Sequence, residues 1–115
     1  MTQAIVCGGR DYIPSRSVLT RFRQALADHG VTTVHHGDAR GVDRYVGKVC
    51  ENWGLRVERH PADWDLHGRR AGMIRNAEML EELGVAVVFA FKGGVGTEDM
   101  ERRAEAAGVL VERIC

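Results

Sequence analysis

Apolar residues along this chain fall into five short runs that are typical of buried β-strands. The fourth run is unbroken, rich in valine and phenylalanine, and preceded by a glycine, which favours a central strand buried on both faces. The third run alternates between apolar and polar residues, which predicts an edge strand with one face open to water. The five predicted strands cover residues 4–7, 31–36, 55–60, 85–91 and 109–114.

Four stretches with helical periodicity separate these runs. The clearest is residues 42–53, where apolar residues recur at offsets of three and four and form one continuous stripe. In the third predicted helix, Met73 and Leu80 are expected to face the core, and Ser15 is expected to cap the first. The other three predicted helices cover residues 15–29, 68–83 and 98–107, and residues 61–67 are predicted to form a loop.

Strands that alternate with helices must be joined by crossovers, and a sheet built in this way is parallel. Right-handed crossovers then predict an α/β fold, a Rossmann-like three-layer sandwich with a five-stranded parallel sheet in the order 3-2-1-4-5. A chain of 115 residues has room for one core and not for a second. We therefore predict a single domain over residues 1–115.

Composition argues against several classes of function. Sixteen basic residues balance sixteen acidic ones and aromatic residues make up 6%, so a nucleic-acid partner is not expected. The three cysteines lack paired spacing, and His35 and His36 are interpreted as strand residues, so neither a metal nor a cofactor is expected. Neither a bilayer-spanning apolar stretch nor a signal peptide is visible, and we expect a cytoplasmic protein without a membrane partner.

Unusual loops follow four of the predicted strands. In an open parallel sheet, ligands bind beyond the carboxyl ends of the strands, near the point where the strand order reverses. With the expected order, strands one and four meet at that point, and each is followed by paired glycines. The first three of these loops supply the following candidate ligand-binding residues: Gly8, Gly9, Arg10, Asp11, Gly37, Asp38, Arg40, Gly41, Asp43, Asp63 and Trp64.

The fourth loop, residues 92–97, contains Gly93, Gly94 and Gly96. Glycines let the backbone turn sharply and bring amide N–H groups against a ligand. Thr97 is predicted to cap the next helix, whose positive end faces the same place. This geometry suits a phosphate group, although a strand-to-helix turn without a ligand would use the same residues.

Five segments taken together resemble the YspA/YpsA-related branch of the SLOG superfamily. They are residues 8–12, 36–43, 61–64, 71–79 and 93–97. That superfamily also contains the DNA-processing protein DprA and the "lonely guy" phosphoribohydrolases. The resemblance implies a Rossmann-like fold that binds nucleotides or nucleotide-derived ligands, in a branch often found in phages and mobile elements. It also implies pairing through helices, and hence a homodimer.

The phosphoribohydrolases of this superfamily carry an arginine–lysine pair and, later, a catalytic glutamate. By this similarity, Arg75 would be catalytic, and Asn76, in place of the lysine, and Met79 would contact the ligand. The position that corresponds to the glutamate holds Met100. Glu101 lies one residue later, about 100° around the helix, and is the nearest candidate for a relocated catalytic carboxylate.

Three functions compete on these residues. The first is binding of a nucleotide or a phosphoribosyl or ADP-ribose-like ligand, by a sensor or sequestering module, with Asp43 on the ribose and Trp64 against the base. The alternative is hydrolysis of the N-glycosidic bond of nucleoside 5′-monophosphates, which needs a carboxylate near the anomeric carbon. Binding of single-stranded DNA is least favoured, because it needs a basic groove with aromatic platforms.

Overall fold

The computed structural model describes residues 2–115. All five strands belong to one parallel sheet, and their order is β3-β2-β1-β4-β5, as predicted. Helices pack on both faces of this sheet, so the chain has an α/β Rossmann-like fold. The strands are β1 (Thr2–Cys7), β2 (Val31–His36), β3 (Arg56–Arg59), β4 (Val87–Ala90) and β5 (Leu110–Arg113).

The sheet divides the core into two clusters, and the residues of β4 alternate between them. Val87 and Phe89 point into the cluster that also contains side chains of α1 and α2, whereas Val88 and Ala90 point into the cluster that contains side chains of α4 and α5. All four residues are at most 2% exposed, as the unbroken apolar run predicted. The helices are α1 (Arg16–Asp28), α2 (Val42–Asn52), α3 (Trp64–His67), α4 (Ala71–Glu82) and α5 (Val95–Ala106), with a 3₁₀ turn at Gly68–Arg70.

Helix starts were predicted with mixed success. Ser15 caps α1, and its Oγ accepts a hydrogen bond from the amide of Val18 at 3.3 Å. The predicted loop over residues 64–67 was wrong, because Asp63 caps a short helix there. The predicted start of α5 was also wrong. The helix begins at Val95, so Gly96 and Thr97 lie in its first turn. Thr97 is therefore not the N-cap residue of α5.

No helix within residues 2–115 has the length and apolar character needed to cross a membrane.

Candidate functional site

A cleft of about 740 Å³ lies at the carboxyl ends of β1 and β4, where the strand order reverses. This volume is within the range of small-molecule binding sites. The cleft brings together most of the candidate residues, from the loops after β1, β2 and β4 and from the helices α2, α3, α4 and α5. Those that line it are Gly8, Gly9, Arg10, Asp11, Gly37, Asp43, Trp64, Arg75, Asn76, Met79, Gly93, Gly94, Gly96 and Thr97.

Five candidate residues do not line the cleft: Asp38, Arg40, Gly41, Asp63 and Glu101. The case of Glu101 matters most, because it was the candidate for a relocated carboxylate. Its Oε2 accepts a hydrogen bond from Nη2 of Arg113 at 2.7 Å, at the end of β5. The structure therefore holds this carboxylate in an ion pair outside the cleft wall.

The cleft wall also contains residues that sequence reasoning placed elsewhere or left out. Met73 was predicted to face the core, but its side chain is 39% exposed and lines the cleft. The prediction failed because the buried face of α4 includes the polar Asn76, which an apolar periodicity does not count. Tyr12, Arg69 and Lys92, which were not among the candidate ligand-binding residues, also line the cleft next to the recognised motifs.

Glycines on the β1 and β2 side of the cleft are required by packing. A Cβ atom at Gly8 would lie 2.6 Å from the side chain of Val42. Gly41 has a φ of +88°, and a Cβ there would collide with the carbonyl oxygen of Gly9. A Cβ at Gly37 would collide with the guanidinium of Arg75. These loops can approach one another only because the side chains are missing.

Glycines at the start of α5 differ from these. A Cβ atom at Gly94 or Gly96 would have no heavy atom within 4 Å, and neither residue has a positive φ. Both line the cleft. The first amides of a helix have no carbonyl partner within the helix, and its N-terminus carries a partial positive charge. The absence of side chains here leaves these amides accessible to an anion in the cleft.

Arg75 supplies a fixed positive charge. Its Nη1 donates hydrogen bonds to the carbonyl oxygens of Gly37 and His60, and its Nε donates to Oδ1 of Asn76 at 3.2 Å. Burial lowers the pKa of Arg75 from its ordinary value and Asp43 opposes this effect, but a guanidinium stays charged. Nη2 makes no hydrogen bond to residues 2–115, and a Cβ atom at the cleft residue Gly72 would lie 3.9 Å from it.

Asn76 connects this arginine to the start of α5. Its Nδ2 donates hydrogen bonds to the carbonyl oxygen of Gly96 at 3.2 Å and to Oδ2 of Asp99 at 3.1 Å. Asp99 is 1% exposed and also accepts hydrogen bonds from Arg102 and Arg103. Protein groups therefore already occupy both the amide nitrogen and the amide oxygen of Asn76. This residue positions Arg75 and α5, and sequence reasoning did not single out Asp99 as its partner.

Asp43 provides a buried carboxyl group in the cleft wall. Its side chain is 5% exposed, and Oδ2 accepts hydrogen bonds from the amides of Gly37 and Ala39 at 3.1 and 3.3 Å. Burial raises the pKa of Asp43 to about 6, and the hydrogen bonds and Arg75 oppose this shift. The group can therefore change its protonation near neutral pH, and it can accept a hydrogen bond from a ligand hydroxyl.

The α3–α4 side of the cleft offers an apolar surface. Trp64 is 51% exposed and lies across Gly72, where a Cβ atom would be 3.7 Å from Cη2 of the indole. Met73 lines the cleft beside it. An exposed aromatic ring at the mouth of a cleft provides a flat face on which a base can stack.

A family model described as the YspA, cpYpsA-related SLOG family matches residues 2–67, more than half of the chain. This chain belongs to that SLOG family. It is also 34% identical to the gene 61 protein of Mycobacterium phage D29, over an alignment of 122 positions that covers 96% of this chain and 94% of the phage protein.

A second similarity concerns a segment of a much larger protein. Over 66 residues, or 57% of this chain, the SLOG protein is 38% identical to the protein translocase subunit SecA of Thermus thermophilus. That segment is 6% of the translocase subunit. The similarity therefore covers a local stretch and says nothing about translocation.

By the resemblance to the phosphoribohydrolases, Met100 corresponds to the position of their catalytic glutamate. In this SLOG protein its side chain is 1% exposed and packs in the cluster that contains Ile5, Cys7 and Met79, at the bottom of the cleft. A thioether can neither exchange a proton nor stabilise a positive charge as a carboxylate does. The cleft therefore has no carboxylate at this position.

Proposed function

We propose that this SLOG protein binds a nucleotide or a nucleotide-derived ligand, such as a phosphoribosyl or ADP-ribose-like molecule, in the cleft. The observation that carries the proposal is the pair of glycines at the start of α5. Packing does not require Gly94 or Gly96 to lack a side chain, yet both line the cleft. A bound phosphate would explain why both residues are glycines, because a phosphate needs direct access to backbone amides.

Charges around the cleft favour an anion. Nη2 of Arg75 is held in place by the anchored part of its guanidinium, and Arg10 and Lys92 also line the cleft. Charge-assisted hydrogen bonds from a guanidinium to a phosphate are stronger than neutral ones. In this arrangement a phosphate lies between Arg75 and α5, the ribose hydroxyls contact Asp43, and the base stacks on Trp64.

Ligand binding is favoured over hydrolysis because neither of the two positions considered for a catalytic glutamate, 100 and 101, presents a carboxylate to the cleft. Met100 is buried where the related hydrolases have a glutamate, and Glu101 is paired with Arg113. The module would then act as a sensor or would sequester its ligand. The expected homodimer and a cytoplasmic location stay predictions, and the similarity to a phage protein supports a role in a phage or mobile element.

A single substitution tests the proposal. Gly94→Val adds a branched side chain at the cleft wall, where a Cβ atom would have no heavy atom within 4 Å. We expect at least about a tenfold loss of affinity for AMP and ADP-ribose by calorimetry, with the midpoint of thermal unfolding little changed. Adenosine, which lacks the phosphate, should bind weakly to both forms.

Ala107→Val is the matched control, because it also introduces a valine, at the C-cap position of α5 and away from the cleft. It should bind both nucleotides as the native protein does. Equal affinity of native protein and folded Gly94→Val would remove the phosphate from the start of α5 and overturn the proposal.

The second candidate function, N-glycosidic hydrolysis, rests on Asp43. This carboxyl lines the cleft near Arg75, and its raised pKa suits a general acid or base. Release of free base from nucleoside monophosphates, followed by chromatography, distinguishes the two functions. Rapid release by the native protein that is lost in Asp43→Asn would favour a hydrolase with a relocated carboxylate. Equal, slow release by both forms would favour the binding function.

A further inference from the structure

Three side chains with metal-binding donor atoms meet on the sheet face that carries α4, and none of them lines the cleft. His35 on β2 is the register partner of Glu58 on β3, and His60 directly follows β3. Nδ1 of His35 is 2.9 Å from Nε2 of His60 and 3.4 Å from Oε2 of Glu58. The three donor atoms all lie within 4.8 Å of one another.

Hydrogen bonds outside the cluster orient the histidine. Nε2 of Gln3 donates to the carbonyl oxygen of Leu83, which directs Oε1 of Gln3 towards His35. Oε1 can only accept, so Nε2 of His35 carries the hydrogen and donates across 2.6 Å. A neutral imidazole then has its lone pair on Nδ1, which faces the other two side chains. A metal-ligating histidine usually donates its other ring N–H to an acceptor in this way, which fixes the orientation of the ring.

The carboxylate is oriented in a similar way. Oε1 of Glu58 pairs with Arg56 at 2.9 Å, which leaves Oε2 facing His35. The side chain of His35 is 1% exposed and that of Glu58 is 36% exposed, so the cluster has a buried end and an end that solvent reaches.

We propose that His35, Glu58 and His60 form a binding site for one divalent transition-metal ion of the zinc type. Two imidazole nitrogens and one carboxylate oxygen are a known set of three protein ligands for zinc, with a fourth position for water. Metal–ligand bonds of about 2.0–2.1 Å in tetrahedral geometry require donor atoms about 3.3 Å apart. The separations of 2.9 and 3.4 Å are within a few tenths of an ångström of this requirement.

Metal binding needs one proton to move. Without metal, Nδ1 of His35 accepts a hydrogen bond from Nε2–H of His60. The ion takes the place of that hydrogen, and His60 changes to the tautomer protonated at Nδ1, so its net charge is unchanged. The carbonyl oxygen of His60 also accepts a hydrogen bond from Arg75 at 3.3 Å. An ion at this site would therefore fix the end of β3 behind that arginine.

Metal titration of the tag-free protein tests the site. After treatment with a chelator, CoCl₂ is followed by visible absorption, which reports tetrahedral coordination, and ZnCl₂ by calorimetry. We expect one equivalent of each metal to bind. Glu58→Gln and His60→Gln alter partly exposed ligands and should leave the fold intact. The affinity for zinc should fall by at least about tenfold in each variant, because the loss of an outer-shell partner alone typically costs about 10- to 100-fold and these side chains are direct ligands in the proposal.

His29→Gln is the matched control, because His29 also pairs with a glutamate, Glu112, at 3.3 Å but has no second histidine nearby. It should bind zinc and cobalt as the native protein does. Equal affinity of the native protein and His60→Gln, or no binding by the native protein, would overturn the proposal. The three side chains would then form only a hydrogen-bonded cluster between β2 and β3.

Discussion

The two sides of the cleft use the same residue type for different purposes. On the side formed by the loops after β1 and β2, the closed side, Gly8, Gly37 and Gly41 lack side chains because neighbouring atoms already occupy the space. On the side formed by the start of α5, the open side, Gly94 and Gly96 have no such neighbours. Glycine content alone therefore does not identify a ligand site, whereas the surroundings of each missing Cβ do.

Polar groups show the same contrast. On the closed side, Asp43 accepts hydrogen bonds from two backbone amides, and Arg75 donates to two carbonyl oxygens. These bonds fix the shape of the wall. On the open side, the first amides of α5 lack partners within the helix. The rigid side can hold the arginine in position while the other side presents donors to the ligand.

The largest expected effect comes from adding a methyl group on the closed side. Gly41→Ala places a Cβ atom against the carbonyl oxygens of Gly9 and Arg10 at a φ of +88°. Backbone atoms cannot yield as a flexible side chain can, so we expect a loss of about 3 kcal/mol or more of unfolding free energy. Urea denaturation followed by circular dichroism measures it.

Gly108→Ala separates the two causes of this loss. Gly108 also has a positive φ, of +75°, but a Cβ atom there would have no neighbour within 4 Å. It should cost only the conformational strain, about 1 kcal/mol. Equal losses in the two variants would contradict the close packing of the closed side.

A pH profile tests the buried carboxyl of the closed side. The pKa of Asp43 is raised by burial from 3.8 to about 6, so its stabilising contribution is complete below pH 4 and is lost as the pH rises through 6. His36 has the opposite effect in this range, because burial lowers its pKa from 6.5 to about 4. Asp43→Asn removes the contribution of the carboxyl group and leaves that of His36.

The variant should therefore gain stability relative to the native protein between pH 4 and pH 7, by up to about 3 kcal/mol. Its amide oxygen can still accept the hydrogen bonds from Gly37 and Ala39. Thermal unfolding at several pH values measures the difference between the two proteins. Parallel profiles would show that the carboxyl ionises in the folded protein as freely as in water.

The fold was predictable because it depends on features that are local in the sequence. The apolar run around β4 identifies a strand buried on both faces, and alternation with helices then restricts the sheet to parallel strands. The glycine pairs after β1 and β4 indicated the cleft for the same reason, since both follow strands that meet where the order reverses.

The features that could not be predicted depend on contacts between residues that are distant in the sequence. Asn76 and Asp99 are 23 residues apart and meet only where α4 packs against α5. His35, Glu58 and His60 are brought together by the register of β2 against β3, and no ligand spacing in the sequence indicates them. The difference between Gly41 and Gly96 is likewise invisible in the sequence, because it lies in what surrounds each Cβ position.

The smallest expected effect is a gain in stability that is accompanied by a loss of ligand affinity. Gly96→Ala adds a methyl group in the first turn of α5, where the residue is exposed and has no neighbour within 4 Å of a Cβ atom. Alanine is favoured over glycine in a helix by up to about 1 kcal/mol, so the variant should be slightly more stable than the native protein. The same methyl group lies at the cleft wall and should weaken AMP binding several-fold.

A gain in stability together with a loss of affinity distinguishes a ligand surface from a packing surface. If Gly96 served packing, as Gly41 does, the added methyl group would lower stability and affinity together. If the open side did not contact the ligand, stability would rise and the affinity for AMP would not change. Calorimetry and thermal unfolding of one protein preparation separate these outcomes, because they measure the two effects independently.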